Sequence, residues 1–149
     1  MRSVWTRLRK VRPIALLLFC FFALSALLLS LSKTWQYHAG LALQLEHWLG
    51  SDLYLHFALA FALNFSLLVA LSGGFTLKRS VLLASGFLLL VCGAEEFSQR
   101  FFTTRHFSWW DLLASSLGVL TSALLGVVAL YWLKGQDSTL YFTRSTKRD

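Results

Sequence analysis

Four apolar runs of near-bilayer length leave this chain little choice of fold. They cover about 13–31, 53–71, 80–99 and 112–133, and a hydrocarbon core takes about 20 helical residues. Lipid offers no partner for loose backbone groups, so helices are the spanning form to expect. A hydrophobic fraction of 56%, a single proline and a mean hydropathy of +0.60 exclude an ordinary soluble domain. The expectation is an all-α polytopic membrane protein built as a four-transmembrane-helix bundle. A basic segment at 1–12 and a basic tail at 134–149 would flank one membrane domain at 13–133. The first run is long for a signal-peptide core and no A-x-A site follows it, so it reads as a retained anchor.

Basic residues set the orientation. Eleven of the fourteen Lys and Arg lie before the first run, between the second and third, or in the tail. The positive-inside rule then predicts N-in, C-in topology, with Lys33, Arg100 and Arg105 outside. The net charge of +7 is this asymmetry. It favours anionic inner-leaflet lipid and gives no support to nucleic-acid binding. The acidic residues sort the other way, with Glu46, Asp52, Glu95, Glu96 and Asp111 at the outer face. In the first outer loop, Leu41, Leu45, Trp48 and Leu49 follow helical spacing after Trp35 and Tyr37. That pattern predicts a short interfacial helix stopped by Gly50. Cys20 and Cys92 fall at different depths, which argues against a disulfide and for two buried small apolar residues.

The third run carries the strongest functional signal. Its apolar part, 80–94, is about 22 Å long at 1.5 Å per residue. To span, it must continue through Glu95, Glu96 and Gln99. Carboxylates inside a membrane edge are costly and mark function by default. Helical geometry groups Glu96 with Ser85, Gly86, Cys92, Gly93 and Gln99, a small or polar face that should meet other helices. Glu95 shares its face with Leu88 and Val91 and should point to lipid head groups. Glu96 also lies near the negative end of its own helix, which disfavours it further. A fixed pair with Arg105 is its structural explanation. On the second run Asp52 and His56 share a face. On the fourth, Ala114, Gly118, Ser122 and Gly126 form a ridge of small residues, with Asp111 and Ser115 at its upper end. Each has a plain reading too. Asp52 could offset a helix dipole, Ser108 with Asp111 matches a capping box, and His56 could be an interhelical hydrogen bonder.

Asp52-x-x-x-His56-Phe57, Glu96-x-x-Gln99 with Arg105, and Ser108-x-x-Asp111 with Gly118 resemble the VanZ-like family of small membrane proteins. The resemblance spans about 52–126. Leu53, Thr103, Thr104 and Ser115 depart from the family pattern, at positions where a basic residue, a proline and an asparagine are usual. The resemblance implies a bacterial inner-membrane, cell-envelope protein, in a family named for an association with teicoplanin resistance. It brings no settled activity.

The ligand-binding set expected from the sequence is Asp52, His56, Glu96, Gln99, Arg105, Asp111 and Ser115. Helices 2, 3 and 4 would form it as a polar pocket at the outer face. It suits an envelope lipid or lipid-linked glycan, with Arg105 and Arg100 on a phosphate. Alternatively, Glu96, His56 or Asp111 could serve as acid or base in an enzyme acting on such a substrate, or the set could be an internal clasp in a structural partner protein. A metal site drawn from His56, Glu96, Asp111 and His106 lacks HExxH or CxxC spacing, and haem lacks paired histidines within the spans. No metal or cofactor is expected. A membrane-protein partner or homo-oligomer stays open.

Overall fold

In the computed structural model the backbone is described for residues 2–35, 40, 44, 47, 48 and 50–145, and side chains within that set for Thr6 and 8–132. The described residues form an all-α bundle of four long helices: α1 (Arg2–Trp35), α2 (Asp52–Ser72), α3 (Leu77–Ser98) and α4 (Trp109–Ser145). A 3-10 turn, Gln99–Phe101, follows α3. All four contain a stretch long and apolar enough to cross a membrane: Leu8–Trp35, Asp52–Ser72, Leu77–Phe101 and Trp109–Trp132. The chain is a multi-pass membrane protein by length and composition.

Local chemistry sets the helix ends. Ser51 is extended, and its hydroxyl accepts the Leu53 N–H at 3.2 Å to start α2. Thr76 starts α3 in the same way through the Arg79 N–H, and Ser108 starts α4 through the Asp111 N–H at 3.3 Å. The helices at the chain ends outrun the apolar runs. Helix α1 runs from the basic segment through Pro13 into the first run without a break, and α4 continues past its span to Ser145. Gln44, His47 and Trp48 are helical, and Gly50 follows at φ +86°, the left-handed turn that glycine allows. The rest of the predicted interfacial helix, with Tyr37, Leu41, Leu45, Glu46 and Leu49, lies outside the described residues.

Helix α2 is the centre of the bundle and packs on each of the others. Its closest neighbour is α4, through the small-residue ridge. Gly118, Ser122 and Gly126 are buried, and a Cβ on Gly118 would come within 2.4 Å of the Phe57 carbonyl oxygen. Without a side chain there, the two backbones meet directly. Halfway down, Asn64 of α2 is fully buried, and its amide nitrogen is within hydrogen-bond reach of Ser122 Oγ (2.8 Å), the Val119 carbonyl (3.1 Å) and Ser85 Oγ (3.3 Å), three acceptors that share its two N–H groups. It thus ties α2 to α3 and α4 at once. An apolar cluster of Ala60, Leu88 and Val119 lies one turn nearer the acidic end.

The outer surfaces suit lipid. Leu17, Phe21, Leu24, Leu90, Leu120 and Leu124 are all exposed. Trp109 and Trp110 at one end of α4 and Tyr131 and Trp132 at the other are exposed as well. They are separated by about 35 Å along the helix, as aromatic belts at two interfaces would be. The two cysteines are unpaired. Cys20 corrects the sequence expectation: it is exposed on the lipid side of α1, because α1 buries only a narrow stripe.

Candidate functional site: a cleft between two helices

Helix α1 packs along α2, but among the described residues its backbone nowhere comes as close to α3. A cavity of about 500 Å³ fills the gap. Phe19, Ala23, Ala26 and Leu29 of α1 form one wall, Leu88, Val91 and Cys92 of α3 the other, and Leu55, Leu59 and Leu63 of α2 the floor. The rim residues Leu27, Phe87 and Val91 are exposed, so the cleft opens sideways, where lipid would be. From Phe19 to Lys33 its length is about 21 Å.

The end near the acidic residues is polar. Ser30, Lys33, Asp52, His56, Glu95, Arg105 and Ser115 line it. Lys33 Nζ lies 2.9 Å from Asp52 Oδ1. Ser30 donates its hydroxyl to Glu95 Oε1 (2.9 Å), and Arg105 Nη1 donates to Ser30 Oγ (3.2 Å) and lies 3.6 Å from Glu95 Oε1. The loop that carries Arg105 is fastened to α1 by Thr104 Oγ1, which donates to the Thr34 carbonyl at 2.8 Å. Among the described residues, the polar bond between α1 and α3 thus lies at this end of an otherwise apolar cleft.

His56 occupies the floor of the polar end, one turn below Asp52. Its Nε2 is 3.6 Å from Asp52 Oδ1 and 3.9 Å from Asp111 Oδ2, and its Nδ1 is 3.5 Å from Ser115 Oγ. Ser108 satisfies the α4 N-terminus with its side chain, but its own N–H goes elsewhere. It donates to Glu96 Oε1 at 2.7 Å, so the capping box is completed by α3 rather than by Asp111. Glu96 is 1% exposed, and Gln99 Nε2 donates to its Oε2 at 3.0 Å and to both Glu95 oxygens at 3.2 Å.

The site residues expected from sequence therefore divide. Asp52, His56, Arg105 and Ser115 line the cleft, whereas Glu96, Gln99 and Asp111 support it from behind. Three details are corrected. Glu96 does face inward, but its partner is the α4 N-terminus and not Arg105; the positive end of that neighbouring dipole offsets the negative end of its own. Glu95 faces α1 and pairs with Arg105, rather than pointing to head groups. The pocket is not made by helices 2, 3 and 4 alone, because α1 supplies a wall and two polar groups. Arg100 is directed away, over the rings of Phe97 and Phe107 at 5.3 and 4.5 Å. The sequence reading missed Ser30, Lys33 and Glu95 as site residues. An i, i+3 polar pair near the end of an apolar run was the available signal for the first two.

No protein-family model matches the chain, and neither a curated protein nor a solved structure matches it.

Proposed function

We propose that this is a cell-envelope protein of the inner membrane that binds an envelope lipid or lipid-linked glycan in the cleft between α1 and α3. The observation that carries this reading is the shape of the cavity: an apolar trough open to the side, ending in paired charges and hydroxyls. An amphiphile matches both parts, and 500 Å³ is within the usual range of small-ligand sites. Lys33 and Arg105 can meet a phosphate, while Asp52 and Glu95 can accept hydrogen bonds from hydroxyl or amine groups. Apart from Gly118, the residues that resemble the VanZ-like family lie at or just behind this end, and membership of that family and a link to glycopeptide resistance are both part of the proposal.

Native mass spectrometry of the protein released from membranes tests the reading. The wild type should retain lipid, and Ala26→Trp, which fills the trough without touching a polar group, should lose it. Retention of the same lipid by Ala26→Trp and by Arg105→Gln would sink the proposal. A second reading, an enzyme on the same class of substrate, is favoured by His56, whose Nε2 is turned toward two carboxylates at the floor of the cleft. Glu96 suits that role less, because both its oxygens already accept hydrogen bonds.

A further inference from the structure

The geometry points to a divalent-metal site formed by Asp52, His56 and Asp111, of the kind that takes Zn²⁺ or Mn²⁺. One ligand atom from each of the three lies within 4.8 Å of the others. The His56 Nε2 distances of 3.6 and 3.9 Å to the two carboxylates are too long for hydrogen bonds. They are close to the separation of about 3–4 Å between ligands that share one ion at 2.0–2.2 Å. The other ring nitrogen faces Ser115 Oγ at 3.5 Å. A hydroxyl in that place is where the second partner of a metal-bound imidazole ordinarily stands.

Charge gives an independent reason. Among the described residues, Asp52, Glu95, Glu96 and Asp111 stand at this end of the bundle beside Lys33 and Arg105, while Arg100 is turned away onto aromatic rings. The positive ends of α2 and α4 offset part of the excess, and the negative end of α3 restores some of it. An excess of negative charge at a membrane edge is costly, and a divalent ion would offset it. One imidazole and two carboxylates suit Zn²⁺ or Mn²⁺ better than Ca²⁺, which prefers oxygen alone, or Cu⁺, which prefers sulfur. Three protein ligands would leave a position open toward the cleft, as in metal sites that also bind a ligand.

Lys33 is the internal competitor. Its ammonium holds Asp52 Oδ1 at 2.9 Å, so an arriving ion must share that carboxylate or displace the lysine. A displaced Lys33 would still line the polar end and could meet the phosphate of an amphiphile. That last step rests on the lipid reading; the metal site itself does not.

The test uses full-length protein in detergent, stripped with EDTA and titrated with Zn²⁺ and Mn²⁺ by calorimetry, with Co²⁺ absorption as a probe of ligation. The wild type should bind one equivalent, and its melting temperature should rise on loading. His56→Gln and Asp52→Asn should abolish that equivalent. Ser115→Ala should weaken it about tenfold, and Lys33→Gln should strengthen it. Metal-free melting curves identify any variant that fails to fold, and Ser115→Ala provides the gentlest alternative. Absence of stoichiometric binding by the wild type would overturn the inference, as would binding unchanged in both His56→Gln and Asp52→Asn, which would place the ion on surface histidines such as His106. Lipid retention measured in EDTA reads the other proposal separately: metal binding without lipid would defeat only the lipid reading.

Discussion

Replacing Gly118 by alanine tests the packing argument at its tightest point. The added Cβ would sit 2.4 Å from the Phe57 carbonyl oxygen and 3.0 Å from the Phe61 nitrogen, both backbone atoms of α2. Neither can swing aside, so α4 must retreat by about 1 Å to reach ordinary contact. Overpacking of this kind costs about 1–3 kcal/mol. The retreat also stretches the Asn64 bonds to Ser122 and Val119, now 2.8 and 3.1 Å, and interhelical bonds of that type contribute about 0.6–1.7 kcal/mol. Against this stands the helix preference of alanine over glycine, about 0.8–1.0 kcal/mol. The net expectation is a loss of about 1–3 kcal/mol. Gly93 is the control, because nothing lies within 4 Å of its added Cβ. There the same change should stabilise by up to about 1 kcal/mol. Gly126→Ala should fall between them, since the obstacle is the tip of the Leu68 side chain rather than backbone. Thermal unfolding of the three variants in one detergent ranks them. A Gly118→Ala protein that melts at or above the wild type would refute the account of α2–α4 packing.

Glu96→Gln should lower stability by about 1–2 kcal/mol, because a charge-assisted bond to the Ser108 N–H becomes a neutral one; Glu95→Gln should cost less stability but reduce lipid retention, since that carboxylate lines the cleft. Equal melting of Glu96→Gln and the wild type would show that Glu96 does not hold α4 in place. Asn64→Leu should destabilise by about 1 kcal/mol through loss of the bonds its two amide N–H groups share among Ser122, Val119 and Ser85, while the same change at exposed Thr121 should be neutral by the same unfolding assay. A reporter fused after Asp149 should be active in the cytoplasm and one inserted at Gly40 outside it; a C-terminal reporter found outside would reverse the sidedness assigned to the cleft.

The sequence by itself determined the number of spans, because burying about 20 apolar residues in lipid is a property of the run and not of its neighbours. Helical periodicity placed the Gly118–Ser122–Gly126 ridge inside and turned Glu96 inward, since both follow from angles within one helix. Those angles do not say which helix a face will meet. The run of α1 at 13–31 is almost uniformly apolar, so nothing in its pattern indicates that it leans on α2 and leaves a cleft beside α3. That placement decided that Glu95 faces Ser30 and Arg105 instead of lipid, and that Lys33 reaches Asp52 across 19 residues of chain. The dipole argument failed for Glu96 for the same reason. It weighed the field of α3 alone, whereas the tertiary fold brings the N-terminus of α4 to 2.7 Å from the carboxylate. Asn64 was lost within a hydrophobic run, where one amide barely alters the hydropathy. Its meaning depends on Ser85 and Ser122 arriving at the same depth from two other helices. Properties carried by one helix were legible in the sequence, and those that need two or three helices at one depth were decided by packing.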